Sequence, residues 1–231
     1  MTRAESITKT LIELGSREPT NWGYNPKTKK DANKLLFTCA VDYQTNADFL
    51  WFKVNSFIVE GLCDPNELWA KIRSDTETQW VDRCKLKSFH RFPQAYKRLW
   101  RIAGQMEEHY KGDARRLWRS GRADDTLSNL EGINFGPQLS RMTVGALRDL
   151  DQVSGCARVK ADLHVRRVLG RLMDGEPASE DRTTELTKLL YKRDPWRLDS
   201  GLFQIGRTFC RPKKPNCGAC PLSLYCVHAA G

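Results

Sequence analysis

The chain contains no long apolar run. Nowhere in its 231 residues is there a stretch approaching the ~20 apolar residues that span a bilayer, and no membrane partner is expected. Met1 to Leu14 is polar and amphipathic, without the apolar centre of a secretory leader, so the expected location is cytoplasmic. Convincing runs of alternating apolar and polar residues, the mark of strands, are also missing, as are internal repeats and low-complexity tracts. Acidic residues are outnumbered: 28 Asp and Glu face 38 Lys and Arg, for a net charge of +10. The basic residues are spread along the chain, a balance that favours a polyanionic partner, usually nucleic acid. In a reducing compartment disulfides are rare, so the eight cysteines are read as buried thiols or metal ligands. Cys39, Cys63, Cys84 and Cys156 are isolated in sequence and read as core residues.

What is present is helical periodicity, nearly throughout. Ile7, Leu11 and Leu14 form a stripe that Gly15 is expected to end. Residues 16–31, rich in Pro, Gly, Asn and Lys, read as a loop or domain crossing. Leu35, Leu36, Cys39, Ala40 and Tyr43 follow at helical spacing and run into the polar, turn-like Tyr43-Gln44-Thr45-Asn46. Phe49, Leu50, Phe52, Val54, Phe57 and Ile58 are apolar almost all round, which predicts a helix buried on several sides. Asp64-Pro65-Asn66-Glu67 reads as a capped helix start, and Pro93 opens a long helix that Gly112 closes.

Three segments in the second half carry chemistry. Leu130-Glu131-Gly132-Ile133-Asn134-Phe135-Gly136-Pro137 is a short glycine turn feeding a helix with an inner stripe of Leu139, Met142, Thr143, Ala146, Leu147 and Leu150. The start of such a helix offers backbone N–H groups and a positive dipole end to a phosphate; an ordinary interhelical turn has the same sequence. Asp162 opens the next long helix, where Val165, Val168, Leu169 and Leu172 face inward and Arg166, Arg167 and Arg171 read as a solvated face or phosphate contacts. Taken alone, Asp162 is an N-cap. Finally, Cys210, Cys217, Cys220 and Cys226 make C-x6-C-x2-C-x5-C within 17 residues, a compact metal-holding loop. Zinc ribbons instead use two C-x2-C pairs well separated in sequence, a pattern this loop does not match.

In this order, the glycine turn, Asp162-Leu163-His164-Val165 and the cysteine loop resemble the helix-hairpin-helix DNA glycosylase superfamily, in its iron–sulfur branch of endonuclease III and MutY. The resemblance runs from about Leu35 to Cys226. It implies an all-α chain of two helical domains with a DNA-binding cleft between them: a six-helix barrel over residues 31–155, and a discontinuous cluster domain of residues 1–30 plus 156–231. It implies a [4Fe–4S] cluster on the four loop cysteines, which positions Arg207, Arg211, Lys213 and Lys214 against the DNA backbone and takes no part in the reaction. The partner would be double-stranded DNA holding a damaged or mismatched base, bound by a monomer associated with the nucleoid.

Such enzymes flip the target nucleotide into a pocket. Breaking the glycosidic bond builds positive charge on the sugar, which a carboxylate stabilises while activating water. Asp162 matches the family's catalytic aspartate, and Gln44 the glutamine that fills the gap left by the flipped base. Gly132, Gly136, Ser140, Arg141, Lys160 and His164 are the further candidates for the DNA backbone. Tyr43 and Gln138 are the further candidates for the base pocket. Gly132 and Gly136 stand four apart where the family has two, so Asn134 and Phe135 read as extra residues. Bifunctional members place a Schiff-base lysine two residues after the second glycine; here that residue is Gln138, which cannot be that nucleophile. MutY-like enzymes carry a glutamate five residues before the gap-filling glutamine; here that residue is Cys39. The expectation is a monofunctional glycosylase acting on a pyrimidine such as uracil or mismatched thymine ahead of an alkylated purine. The alternatives are a glycosylase/lyase using Lys160 or another lysine, a non-catalytic binder of damaged DNA, and a zinc-containing helical DNA-binding protein.

Overall fold

A computed structural model describes residues 1–17, 22–155 and 157–230. The described residues are all-α, with one isolated β-bridge between Arg122 and Ser154. They fall into two compact units: Trp22–Gly155, and the segment before it together with the segment after it. Cys156 lies outside the described residues.

Helix α1 (Arg3–Arg17) belongs to the split unit. It does not stop at Gly15. Glycine serves there as a point of close approach: a Cβ on Gly15 would lie 3.2 Å from the backbone nitrogen of Gly201.

The continuous unit begins with an irregular segment held by its aromatics. Trp22 Nε1 donates to Asp149 Oδ2 (3.1 Å), its ring packs on Trp51, and the Tyr24 hydroxyl meets Thr38 Oγ1. Helices α2 (Lys29–Val41) and α3 (Ala47–Phe57) follow, the latter running into a π-turn over Ile58–Leu62. The α3 expectation needs correcting, because Phe49 and Phe52 are 53% and 73% exposed and only Leu50, Val54 and Phe57 turn to the core. Asp64 caps a 3-10 turn with Pro65 first, leading into α4 (Leu68–Arg73). Helix α5 (Glu77–Lys87) starts with a Thr76–Gln79 capping box, and α6 (Pro93–Tyr110) starts with proline and buries Tyr96, Leu99, Ile102, Ala103 and Met106. Helices α7 (Ala123–Gly132) and α8 (Pro137–Asp149) complete the unit.

The hub of this unit is Asn33, fully buried on α2. Its amide donates to the Pro65 and Gly112 carbonyls and accepts from Trp69 Nε1 and the Ala114 N–H. Satisfying a buried amide completely is what makes it tolerable in a core. Cys39 and Cys84 are buried here, and burial pushes the Cys84 thiol far up, away from thiolate chemistry.

The chain then returns to the split unit with α9 (Leu163–Met173), α10 (Glu180–Leu190), α11 (Asp199–Thr208) and the terminal turn α12 (Val227–Ala230). Their core gathers Ile7 and Leu11 of α1 with Val165, Val168, Leu169, Leu172, Leu202 and Ile205. Gly201 lets α11 lie directly on α1, since a Cβ there would meet the Leu11 carbonyl oxygen at 2.1 Å.

Candidate active site and cysteine loop

Asp162 is the N-cap of α9, with extended backbone. Its Oδ1 accepts the N–H groups of both His164 (2.8 Å) and Val165 (3.0 Å). Oδ2 carries no hydrogen bond among the described residues, and the side chain is half-buried. One oxygen is thus fixed by the helix start while the other is presented. Lys160, two residues earlier, is half-buried, with its backbone N–H donated to Asp199 Oδ1 (2.9 Å). His164, expected at the DNA backbone, is taken up by packing within its unit. Its ring meets Phe203 edge-on (centroids 5.3 Å apart), its Nδ1 accepts from Arg167 Nη2 (3.1 Å), and Gly206 leaves room for its Cβ.

The same helix holds the cysteine loop. Arg167 and Arg171, read from sequence as a solvated or phosphate-contacting face, are 8% and 9% exposed. Arg167 donates to the carbonyls of Cys210 (2.6 Å), Gly206 and Leu163. Arg171 donates to the carbonyls of Arg211 and Pro212, both at 2.8 Å, and its Nη1 lies 3.6 Å from Cys210 Sγ. Sequence reasoning missed these two. The available signal was their i, i+4 spacing beside the inward-facing Val168 and Leu172.

Cys210, Cys217, Cys220 and Cys226 all line one cavity of about 380 Å3, open mouth included, whose other walls include Val168, Leu172, Ile205, Phe209 and Leu222. Among the described residues no three His, Cys, Asp or Glu converge closely enough to hold a single ion. Four thiols around one largely apolar cavity are the residues that could hold a sulfur-ligated metal or cluster. The loop exposes Arg211, Lys213 and Lys214, and Arg207 beside it lies over the Phe203 ring.

In the continuous unit, α7 and α8 are joined by a four-residue turn, Ile133–Gly136. Gly132 is the last residue of α7, not part of the turn. The left-handed position belongs to Asn134 (φ +69°), a residue type that tolerates it. Asn134 and Phe135 are the middle of this turn. Phe135 is buried. Helix α8 opens on Gly136 and Pro137 without a side-chain cap. Gln138 is half-buried in its first turn. Ser140, expected at the DNA backbone, is 0% exposed on the inner face of α8, so no backbone phosphate reaches it. Arg141 is half-buried, and its Nη1 is without a partner among the described residues.

Gln44 tops the turn between α2 and α3, exposed and at φ +50°. Tyr43 beside it is packed, its ring 4.7 Å from that of His90 and under the Arg98 guanidinium (4.8 Å). Burial raises the Tyr43 phenol above its ordinary value, with Arg98 opposing.

No family model matches the chain. Endonuclease III of Thermotoga maritima is 28% identical over 107 residues, 46% of this chain and 48% of that protein, so the chain spans about half the length of the curated relative it matches. Whole-chain likenesses come from solved structures, each 16% identical. A thermostable thymine-DNA glycosylase superposes with a TM-score of 0.69, covering 99% of this chain and 97% of that one. A trapped covalent endonuclease III–DNA intermediate gives 0.68, and a non-covalent endonuclease III–DNA complex 0.67, each covering 100% of this chain and 98% of the other. The chain thus has, over its full length, the all-α fold of these endonuclease III and thymine-DNA glycosylase structures.

Proposed function

We propose that this chain is a monofunctional DNA glycosylase, which hydrolyses the bond between sugar and base in a flipped, damaged or mismatched nucleotide and leaves an abasic site. The observation that carries the reading is the Asp162 carboxylate, one oxygen fixed by two backbone N–H groups and the other bare. A carboxylate so held keeps its charge in place as positive charge develops at C1′, and accepts the proton of the water whose oxygen replaces the base. Gln138 supports the monofunctional half, since its amide cannot form a Schiff base with the sugar. The substrate is read as a pyrimidine such as uracil or mismatched thymine, in keeping with Gln44, Gln138 and the fold shared with a thymine-DNA glycosylase. The partner is duplex DNA, met by a monomer in the cytoplasm at the nucleoid, and the Trp22–Gly155 unit corresponds to the family's six-helix barrel.

Cys210, Cys217, Cys220 and Cys226 would hold a [4Fe–4S] cluster. When bound it supplies a fixed shape to the loop carrying Arg211, Lys213 and Lys214, and no step of the reaction runs through it.

A panel of duplexes, each with one modified base and developed by alkaline cleavage of abasic sites, tests the reading. The control is Asp162→Asn. Asparagine caps helices as well as aspartate, so this change removes the charge and keeps the fold. Excision of the recognised base is expected to fall by at least ~100-fold. Binding that persists with no excision by either form on any lesion would leave only a non-catalytic binder. Borohydride trapping on abasic DNA separates the lyase alternative, which requires a covalent adduct; loss of that adduct in Lys160→Ala would assign it to Lys160.

A further inference from the structure

Gln44 stands in a left-handed conformation that residues with a Cβ seldom adopt. Something must hold it there, and outlying backbone of this kind marks places where a fold over-determines one shape. Within its own segment the turn is tied by Trp51 Nε1 donating to Asp42 Oδ2 (3.1 Å), by Asn46 Oδ1 capping the Phe49 N–H (3.0 Å) and by the Tyr43 N–H donating to the Val41 carbonyl (2.9 Å). These secure the two ends of the turn and leave the Tyr43 carbonyl, on the peptide before Gln44, to a partner elsewhere.

The middle is held from elsewhere in the same unit. His90, between α5 and α6, is 47 residues from Tyr43 in sequence, and its Nε2 lies 3.1 Å from the Tyr43 carbonyl oxygen. The tautomer follows from the partners. The Phe92 N–H donates to His90 Nδ1 (3.0 Å), so Nδ1 holds the lone pair and Nε2 the hydrogen, directed at Tyr43. His90 is itself fixed at both backbone groups by one hydroxyl: Tyr96 Oη receives its N–H and donates to its carbonyl. The imidazole also stacks on the Tyr43 ring. A continuous chain thus runs from Tyr96 through His90 to the peptide that precedes Gln44.

We propose that His90 is a positioning residue for Gln44, holding the turn in the shape that lets the glutamine enter the gap left by a flipped base. The proposal rests on the reading of Gln44 as the gap-filling residue. A side chain already in its inserting conformation loses less freedom on binding, which appears as affinity for DNA that has a gap to fill.

The test uses the whole chain and a duplex carrying a tetrahydrofuran abasic-site analogue opposite 2-aminopurine, so that no lesion need be known. Kd and the fluorescence change of the opposite base are read for wild type, Gln44→Ala, His90→Phe, His90→Gln and the double variant Gln44→Ala/His90→Phe. Phenylalanine keeps the ring and loses the donor; glutamine returns an N–H at the reach of Nε2. Expected are binding weakened by up to about tenfold in His90→Phe, the effect of losing one such hydrogen bond, loss of most of the fluorescence change, recovery of both in His90→Gln, and a double variant no weaker than Gln44→Ala. Wild-type behaviour of His90→Phe, or losses that multiply in the double variant, overturns the positioning role. If Gln44→Ala itself changes neither readout, it is the gap-filling reading that fails. Where His90→Phe does not fold, Tyr96→Phe loosens His90 without touching its ring and is expected to act in the same direction; wild-type binding and fluorescence there also overturn the proposal.

Discussion

At the scale of single residues, protonation of His90 can be followed in solution. Burial, the largest influence, lowers its pKa below the ordinary value near 6.5, with the neighbouring cations Arg91 and Arg98 adding to the shift and the bond to the Tyr43 carbonyl opposing it. A proton added at Nδ1 displaces the Phe92 N–H. A group with a depressed folded pKa contributes stability that is complete above the unfolded value and is lost as pH falls through the folded one. The Gln44 turn is therefore expected to be intact at pH 7 and to loosen under acid conditions below about 6.5. Affinity for the abasic duplex measured across that range should fall in wild type relative to His90→Gln, which shares every other titrating group. Gly206 allows a second prediction at this scale. A Cβ there would sit 2.7 Å from the Cβ of His164 and 3.2 Å from its Cα, neither at the end of a flexible side chain. Gly206→Ala is expected to destabilise the protein by about 1–3 kcal/mol, seen as a lowered melting temperature.

At the scale of elements, the cysteine loop depends on α9 for its shape. Arg171→Met keeps the length of the side chain and deletes its hydrogen bonds to the loop, leaving the Arg211 and Pro212 carbonyls to find water. A cost of about 2–4 kcal/mol is expected, together with faster proteolysis between Cys210 and Cys217. The purified protein is expected to be brown, with absorbance near ~400 nm that chelation or oxidation bleaches; a colourless zinc protein would refute the cluster. Much of this architecture was legible in the sequence, because helical periodicity, proline starts such as Pro65 and Pro93, and the cysteine spacing are all local signals. What was hidden depends on partners distant in sequence. Phe52 belongs to an apolar run yet faces solvent, since a run that is apolar all round does not say which side the core takes. Gly15 looked like a helix stop because its role, close approach to α11, involves a residue nearly the whole chain away. Arg167 and Arg171 read as surface because arginine usually is, and only the carbonyls of residues 206–212 turn them inward. The turn before α8 was misjudged because asparagine can take the left-handed place that glycine usually fills.

At the scale of the molecule, the net charge of +10 predicts binding to duplex DNA that weakens steeply with salt. Each phosphate contact contributes roughly 0.9 to the slope of log affinity against log salt. Replacing Arg211, Lys213 and Lys214 by alanine, all exposed beside the cysteines, should make that slope shallower by about 2 to 3 while leaving discrimination between normal and modified bases unchanged. Affinities titrated from low to physiological salt check this. An unchanged slope would remove the loop from the DNA contact.

Helix α9 joins two of these scales. Its first residue follows Asp162, and its later turns carry the arginines that bind the loop. A helix is stiff along its axis, so strain at Cys210 is felt at its N-terminus. The amides of His164 and Val165, protected by Asp162 Oδ1, serve as built-in strain gauges. Their hydrogen exchange should quicken when the loop is loosened, as in Arg171→Met, and stay slow when it is intact. Damage to the cysteine loop would then register as lost order at the carboxylate, well before the chain as a whole unfolds.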